Sequence, residues 1–129
     1  MNVLLSSSSY PQNAQDWRSR FIANMVAALA RRNGLTVSIW APPGDLPKNV
    51  TRAGTASDAT WLAGLAARGG IAHLLRTRRV LALGTVFSFL LRLRRAYRRK
   101  SVDVVHANWL QNALPLLGTR TPALITVLG

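Results

Sequence analysis

The chain has 129 residues, 49% of them hydrophobic, which is enough for one domain with a substantial apolar core. Its 17 Lys and Arg residues stand against four Asp and no Glu, and this formal net charge of +13 predicts an anionic partner such as a phosphate, a nucleic acid or an acidic membrane surface. The absence of cysteine excludes disulfides and thiolate metal sites and fits a reducing compartment.

The first forty residues predict a strand, a helix and a second strand. Residues 3–5 form a short apolar run followed by a serine-rich loop, as expected for a buried strand. Asp16 is expected to cap a helix over residues 17–32, in which apolar residues recur at helical spacing and Gly34 ends the pattern. Residues 35–40 alternate in polarity and predict the second strand, which completes one βαβ unit.

The middle of the chain predicts a loop and two helices. Residues 41–56 are rich in proline and glycine, and we expect a loop across the strand ends. Ser57 or Asp58 is expected to cap a short helix that ends at Gly69 and Gly70. A longer helix over about residues 72–99, with a bend predicted at Gly84, carries a stripe for the core: Leu83, Val86, Leu90, Leu93 and Tyr97.

The last third predicts a strand over residues 102–106, a helix over about 110–117 and a strand over 123–127. Alternating α and β elements predict an α/β fold, a Rossmann-like open parallel sheet of about four strands with flanking helices in a single domain, residues 1–129. Because the chain stops one residue past a strand expected to be buried, we expect a truncated domain.

Two groups of polar residues lie where predicted strands end. The loop after the first strand supplies Ser9, Tyr10, Gln12 and Asn13, with Arg18 just inside the following helix, and such a place favours an anion. Neither Gly-x-Gly-x-x-Gly nor a P-loop is present, and a polar turn with exposed arginines is the alternative.

The second group follows the strand that is expected to end at His106. Asn108 and Gln111 offer hydrogen bonds and Trp109 a flat apolar surface, a set that suits a sugar; a purely structural histidine is the alternative. His73 is expected to be structural. Two histidines, no cysteine and four scattered aspartates predict no metal site, and we expect no cofactor.

Nine positive charges and no negative one lie between Arg76 and Lys100. A basic amphipathic helix can lie on an anionic bilayer; the alternative is a helix that packs its stripe on the sheet and solvates its arginines. The chain begins without a signal-peptide pattern, and its longest apolar run is shorter than the roughly 20 residues of a membrane span. We therefore expect a cytoplasmic protein, peripheral at the inner face of the membrane, whose contact residues are Arg92, Arg94, Arg95, Arg98, Arg99 and Lys100.

Taken together, the chain resembles the N-terminal domain of retaining glycosyltransferases of the GT-B fold, family 4, also called group 1. The resemblance runs in order from end to end and rests on the segments Ser9-Tyr10-Pro11, Asp16-Trp-Arg-Ser-Arg-Phe21, Ala28-Leu-Ala-Arg-Arg32, Ala41-Pro42, Val102-Asp-Val-Val-His-Ala-Asn-Trp109 and Pro122-Ala-Leu-Ile-Thr-Val-Leu-Gly129.

The resemblance implies the acceptor-binding half of an enzyme that transfers a sugar from a nucleotide-sugar donor to a cell-surface glycan or glycolipid. A missing C-terminal domain, which carries the Glu-x7-Glu signature, would hold the donor, so this chain alone should be inactive. Residues 9–13 and Arg18 would face the donor phosphate, and the acceptor site would be lined by His106, Asn108, Trp109 and Gln111.

The sequence departs from the family pattern at three places. Asp16 and Trp17 stand where many members have Gly-Gly, Asn108 replaces a second histidine, and Leu128 replaces the histidine of Thr-x-His-Gly. The alternatives are a non-enzymatic basic α/β module that binds anionic membrane or nucleic acid, and a different Rossmann-like enzyme. No nucleic-acid signature is present, so nucleic acid is not the expected partner.

Overall fold

The computed structural model describes residues 1–99 and 101–127 and contains a five-stranded sheet in which every strand pair is parallel. The strands, in the spatial order β3-β2-β1-β4-β5, are β1 (Asn2–Ser6), β2 (Thr36–Trp40), β3 (Val50–Arg52), β4 (Val104–Asn108) and β5 (Ala123–Thr126). The predicted α/β fold with a Rossmann-like open parallel sheet is confirmed. The order reverses between β1 and β4, and in such sheets ligands bind beyond the carboxyl ends of the strands at that point.

Helices cover both faces of the sheet: α1 (Arg20–Ala30), α2 (Ala56–Ala67), α3 (Gly70–Thr77), α4 (Arg79–Arg99) and α5 (Leu110–Ala113), which a 3-10 turn (Leu114–Leu116) extends. Neighbouring side chains of a strand point to opposite faces. Leu5 therefore joins α1 in one apolar cluster, and Leu4 joins α2 and α4 in the other. Within the described residues, no helix is both long and apolar enough to cross a membrane.

The loop predicted over residues 41–56 contains β3, so the sheet has five strands rather than about four. Val50 is buried beside β2, and its pairing continues to Arg52. Three residues are too few to show an alternating pattern, and for that reason the sequence did not reveal the strand.

The first helix begins later than predicted, and Asp16 does not cap it. Its N-cap is Ser19, which has a left-handed backbone (φ 55°) and makes no capping side-chain bond. The Asp16 carboxylate instead accepts hydrogen bonds from the backbone N–H groups of Gln12 and Arg18, both at 3.1 Å. This closes a turn before α1, so Arg18 lies outside the helix.

The second helix is capped by Thr55, rather than by Ser57 or Asp58. The Thr55 hydroxyl accepts from the Asp58 N–H at 3.2 Å, and the Asp58 carboxylate accepts from the Thr55 N–H at 3.0 Å. Asp58 is thus the third helical residue of a capping box.

The long helix predicted over residues 72–99 is two helices, with the break at Arg78 (φ −144°, ψ 70°) and not at Gly84. The stripe is partly wrong: Leu93 and Tyr97 are buried, but Leu83 is exposed, and Ala82 and Phe89 take the core positions. Phe89 packs edge-on against Trp40, with ring centroids 5.3 Å apart. This contact fixes the rotation of α4 and turns Leu83 outward.

The last strands also differ from the prediction. Since β4 runs from Val104 to Asn108, His106 lies inside the strand and not at its end. The side chains of β5 are mostly exposed, which contradicts a buried last strand. Leu128 lies outside the described residues.

Candidate functional site

The loop that leaves β1 is held in place by its own side chains. The buried Ser7 hydroxyl donates to the Ser9 carbonyl oxygen at 2.6 Å, and the hydroxyls of Ser9 and Ser19 are hydrogen-bonded to each other. The Arg20 guanidinium donates to the carbonyl oxygens of Asn13 (3.1 Å) and Asp16 (2.8 Å). The loop is therefore tied to the start of α1 and presents a defined surface beyond the carboxyl end of the strand.

A cleft of about 620 Å³ opens between this loop, the segment after β2 and the facing ends of α2 and α3. Four of the residues predicted from the first loop line it: Ser9, Tyr10, Gln12 and Arg18. Asn13 does not, because its side-chain oxygen accepts from the N–H groups of Gln15 and Asp16. The cleft has the size range of small-molecule sites and offers hydroxyl, amide and guanidinium groups.

Arg52 also lines the cleft, and the sequence did not single it out. It ends β3, the strand that was predicted as loop, and its guanidinium donates to the Gly44 carbonyl oxygen at 2.6 Å. Gly44 packs so closely on Tyr10 and Pro11 that a Cβ atom would overlap the Pro11 carbonyl oxygen. A glycine is thus required where the two loops meet.

The charges in the cleft are balanced. Arg18 and Arg52 face the same space as Asp16 and Asp45. Backbone hydrogen bonds from Gln12 and Arg18 lower the pKa of Asp16, so its carboxylate is ionised near neutral pH. That carboxylate occupies two N–H groups that an anion could otherwise bind. A bound phosphate would accordingly have to use other groups, such as the guanidinium groups of Arg18 and Arg52.

Tyr10 forms one wall of the cleft. Its hydroxyl donates to the Asp45 carbonyl oxygen at 3.0 Å, and burial raises its pKa above the ordinary value. The phenol is neutral at physiological pH and its proton is engaged. Because Tyr10 is buried, it can offer a ligand little more than one lone pair of its hydroxyl oxygen.

The second predicted group does not line this cleft. His106 is buried and its Nε2 lies 2.8 Å from the Thr126 hydroxyl oxygen on β5. Burial lowers the pKa of His106, so its imidazole is neutral near pH 7. Asn108 is buried as well and donates to the Ser6 carbonyl oxygen at 3.3 Å. These two side chains hold β4 against its neighbours on either side.

Trp109 and Gln111 are half-buried and lie nearer the loop. Trp109 has a positive φ of 69° and packs edge-on against Phe21 of α1, with ring centroids 5.8 Å apart. The Gln111 amide nitrogen lies 3.5 Å from the Ser8 hydroxyl oxygen. This contact links the β4 end to the β1 loop, so the two predicted groups are neighbours that do not share one cavity.

A buried polar cluster lies beneath the site, where β1 and β4 adjoin. The Tyr97 hydroxyl bonds to the Ser6 hydroxyl (2.7 Å) and donates to the Asn112 carbonyl oxygen (2.6 Å). The Asn112 amide nitrogen in turn donates to the Asn108 carbonyl oxygen. Burial raises the pKa of Tyr97, which keeps it neutral. The sequence placed Tyr97 only in the apolar stripe and gave no signal for Asn112, which lies four residues after Asn108 in α5.

The basic residues at the end of α4 have different surroundings. Arg92 pairs with Asp58 at 2.9 Å and lies over the Trp61 ring, and Arg94 donates to the Pro115 carbonyl oxygen at 2.9 Å. Arg95 and Arg98 are exposed. The Arg99 side chain and Lys100 are outside the described part of the chain. Among the described residues, no group of three or more His, Asp or Glu side chains could hold a metal ion.

The geometry defines an open all-parallel α/β domain with a cleft at the carboxyl edge of its sheet. No protein-family model and no curated protein matches the chain.

Proposed function

We propose that the chain is the acceptor-side domain of a retaining glycosyltransferase that moves a sugar from a nucleotide-sugar donor to a cell-surface glycan or glycolipid. The observation that carries the proposal is the cleft beside β1, lined by Ser9, Tyr10, Gln12, Arg18 and Arg52. Hydroxyl and amide groups recognise sugar hydroxyls, and guanidinium groups recognise phosphate. A second domain would supply the opposite wall and the donor site.

The residues divide into two roles in this proposal. Arg18 and Arg52 would neutralise the diphosphate that leaves as the bond to the anomeric carbon breaks. Trp109 and Gln111, beside the loop, would position the acceptor, whose hydroxyl oxygen forms the new bond to the anomeric carbon and gives its proton to the departing diphosphate. His106 and Asn108 would not touch the substrate but would hold β4 in position, because both are buried and hydrogen-bonded within the sheet. The intact enzyme would work in the cytoplasm at the inner face of the membrane.

Titration with uridine diphosphate, followed by amide chemical shifts, tests the cleft. We expect saturable shifts at the lining residues, and about tenfold weaker binding in Arg18→Gln and in Arg52→Gln because a charge-assisted hydrogen bond is lost. Arg31→Gln, an exposed change at the end of α1, is the charge-matched control and should bind like the parent.

The Asp16→Asn variant supplies a change of opposite sign. The Asp16 carboxylate repels an anionic ligand in the cleft. Because the substitution removes this one repulsive interaction, uridine diphosphate should bind several-fold more tightly. Two results would contradict the proposed role of the cleft. One is the absence of chemical-shift changes at its lining residues, and the other is an equal affinity for uridine diphosphate in the Arg18, Arg52, Arg31 and Asp16 variants.

One observation favours the alternative, a non-enzymatic basic module. The helices α3 and α4 expose apolar and basic side chains together. A module of that kind needs no ligand in the cleft. It therefore predicts no saturable response to uridine diphosphate and leaves membrane binding as the whole activity.

A further inference from the structure

An apolar stripe lies on the exposed side of α4. Val80, Leu83 and Phe87 are 87%, 68% and 66% exposed, and their spacing of three and four places them along one side of the helix. The same helix buries Ala82, Phe89 and Leu93 in the core. The helix thus carries apolar residues on two sides, and only one of them is covered by the described fold.

Three exposed arginines lie where this stripe begins. Arg76, Arg78 and Arg79 are exposed, and none of them makes a side-chain hydrogen bond or ion pair with the residues at positions 1–99 or 101–127. No acidic residue occurs between Asp58 and Asp103. Positive charge beside a projecting apolar stripe is complementary to a surface that is anionic outside and apolar beneath.

We infer that this surface, called here the α3–α4 surface and consisting of Arg76, Arg78, Arg79, Val80, Leu83 and Phe87, docks on an anionic lipid bilayer. The helix would lie in the plane of the interface, with its apolar side chains at the boundary between headgroups and acyl chains and its arginines on lipid phosphates. The inference assigns a surface to the membrane location in the proposed function, and it does not depend on what the cleft binds.

Of the basic residues that the sequence favoured at the end of α4, Arg95 and Arg98 are exposed, whereas Arg92 and Arg94 are engaged within the fold. Arg92 is held by Asp58 and Trp61, and Arg94 is held by the chain after α5. Their guanidinium groups already have partners within the fold. The unpaired arginines near the start of α4 lie next to exposed apolar residues, whereas Arg92 and Arg94 serve to join helices.

A bilayer fits this surface better than a nucleic acid does. Single-stranded nucleic acids are bound on aromatic side chains interleaved with basic ones, because bases stack on rings. Here the projecting residues are two aliphatic side chains and one phenylalanine in a continuous row. Such a row gains free energy by leaving water for an apolar phase, which a phosphate backbone does not provide.

Co-sedimentation with vesicles of equimolar phosphatidylcholine and phosphatidylglycerol tests the apolar stripe. We expect the double variant Leu83→Ser, Phe87→Ser to bind at least about tenfold more weakly than the parent, because two exposed anchors are lost. The control is Leu117→Ser, Val127→Ser, which removes two equally exposed apolar residues (71% and 68%) elsewhere and should bind like the parent. Circular dichroism of both variants establishes that they remain folded.

A second pair of variants tests the charges. Changing Arg76, Arg78 and Arg79 to Gln should weaken binding to the anionic vesicles about fivefold per residue. Vesicles of phosphatidylcholine alone, which carry no net charge, should bind little of the parent protein. Changing the exposed Arg31, Arg32 and Arg120 to Gln removes the same charge elsewhere and should matter much less.

Equal losses in the two triple variants would mean that net charge alone drives binding and would overturn the inference. Unchanged vesicle binding in the Leu83, Phe87 variant would also overturn it, as would binding of duplex DNA or single-stranded RNA by a parent that ignores vesicles. Failure here differs from failure of the transferase proposal, since vesicle binding needs no uridine diphosphate and cleft binding needs no lipid.

Discussion

Asp58 joins two helices through one carboxylate. It completes the capping box of α2 and accepts a hydrogen bond from Arg92 of α4 at 2.9 Å. Burial alone would raise the pKa of Asp58, but hydrogen bonds from Thr55 and Arg92 outweigh it and lower the pKa below its usual range. The ionised carboxylate is therefore the form that the fold requires.

We predict that Asp58→Asn lowers the free energy of unfolding by about 2 kcal/mol, because the cap weakens and Arg92 loses its counter-charge in a partly buried place. Urea unfolding monitored by circular dichroism measures it. Asp45→Asn removes an equal charge from an exposed position and serves as the control. A difference between the two variants below about 0.5 kcal/mol would contradict a structural role for the pair.

His106 gives the stability of the protein a pH dependence of known sign. Burial lowers its pKa in the folded state, so the unfolded chain takes up the proton more readily. Stability is then complete above about pH 6.5, the ordinary histidine value, and decreases as the pH falls toward the lowered pKa of the folded state.

Thermal unfolding between about pH 5 and pH 7, above the range in which aspartates titrate, should reveal this decrease in the parent and a flatter profile in His106→Gln. His73→Gln changes the exposed histidine of α3 and should keep the slope of the parent, because it retains His106. Identical slopes in the parent and in His106→Gln would show that the pH dependence arises elsewhere.

At the scale of single elements, replacing two glycines by alanine should change the stability of the protein in opposite directions. Gly34 ends the turn after α1 with φ +80°, a left-handed backbone conformation that alanine adopts only at a cost in free energy. Gly64 lies inside α2. At both positions a Cβ atom would meet nothing within 4 Å. We predict that Gly34→Ala destabilises the protein by about 1 kcal/mol and that Gly64→Ala stabilises it by about 0.5–1 kcal/mol. Urea unfolding of the pair measures both, and effects of the same sign would contradict the assignment.

The elements that could be predicted from the sequence are those with a long enough pattern. The apolar runs of β1 and β2 and the helical period from Ile22 to Leu29 identified one βαβ unit. The break at Arg78 could not be predicted, because neither glycine nor proline marks it. The rotation of α4 depends on Trp40, which is distant in sequence, so local spacing could not tell that Phe89 faces the core.

The candidate site was predictable to a similar extent. A loop after the first parallel strand must open at the ligand-binding edge of the sheet, and the structure places Ser9, Tyr10, Gln12 and Arg18 there. The prediction for His106 depended on where β4 ends. The strand continues two residues past His106, and the His106 side chain lies against Thr126 and away from the cleft. Arg52 could have been assigned to the cleft only if β3 had been predicted, and that strand is too short to be recognised in the sequence.

At the scale of the whole molecule, repulsion between like charges opposes the folded state. Seventeen basic residues face four acidic ones, and the described residues form two ion pairs, Arg18–Asp16 and Arg92–Asp58. Since most basic residues have no acidic neighbour, compaction brings unbalanced positive charge together. Screening should relieve this repulsion more than it weakens the two attractive pairs.

We therefore predict that sodium chloride stabilises the protein. Raising its concentration from about 0.01 M to about 1 M shortens the Debye length from about 30 Å to about 3 Å, and the urea midpoint should rise. The variant with Arg31, Arg32 and Arg120 changed to Gln carries three fewer charges than the parent's +13, so its midpoint should rise less. If salt lowers the midpoint in both proteins, attractive pairs such as Arg92–Asp58 outweigh the repulsion between basic residues, and the prediction is contradicted.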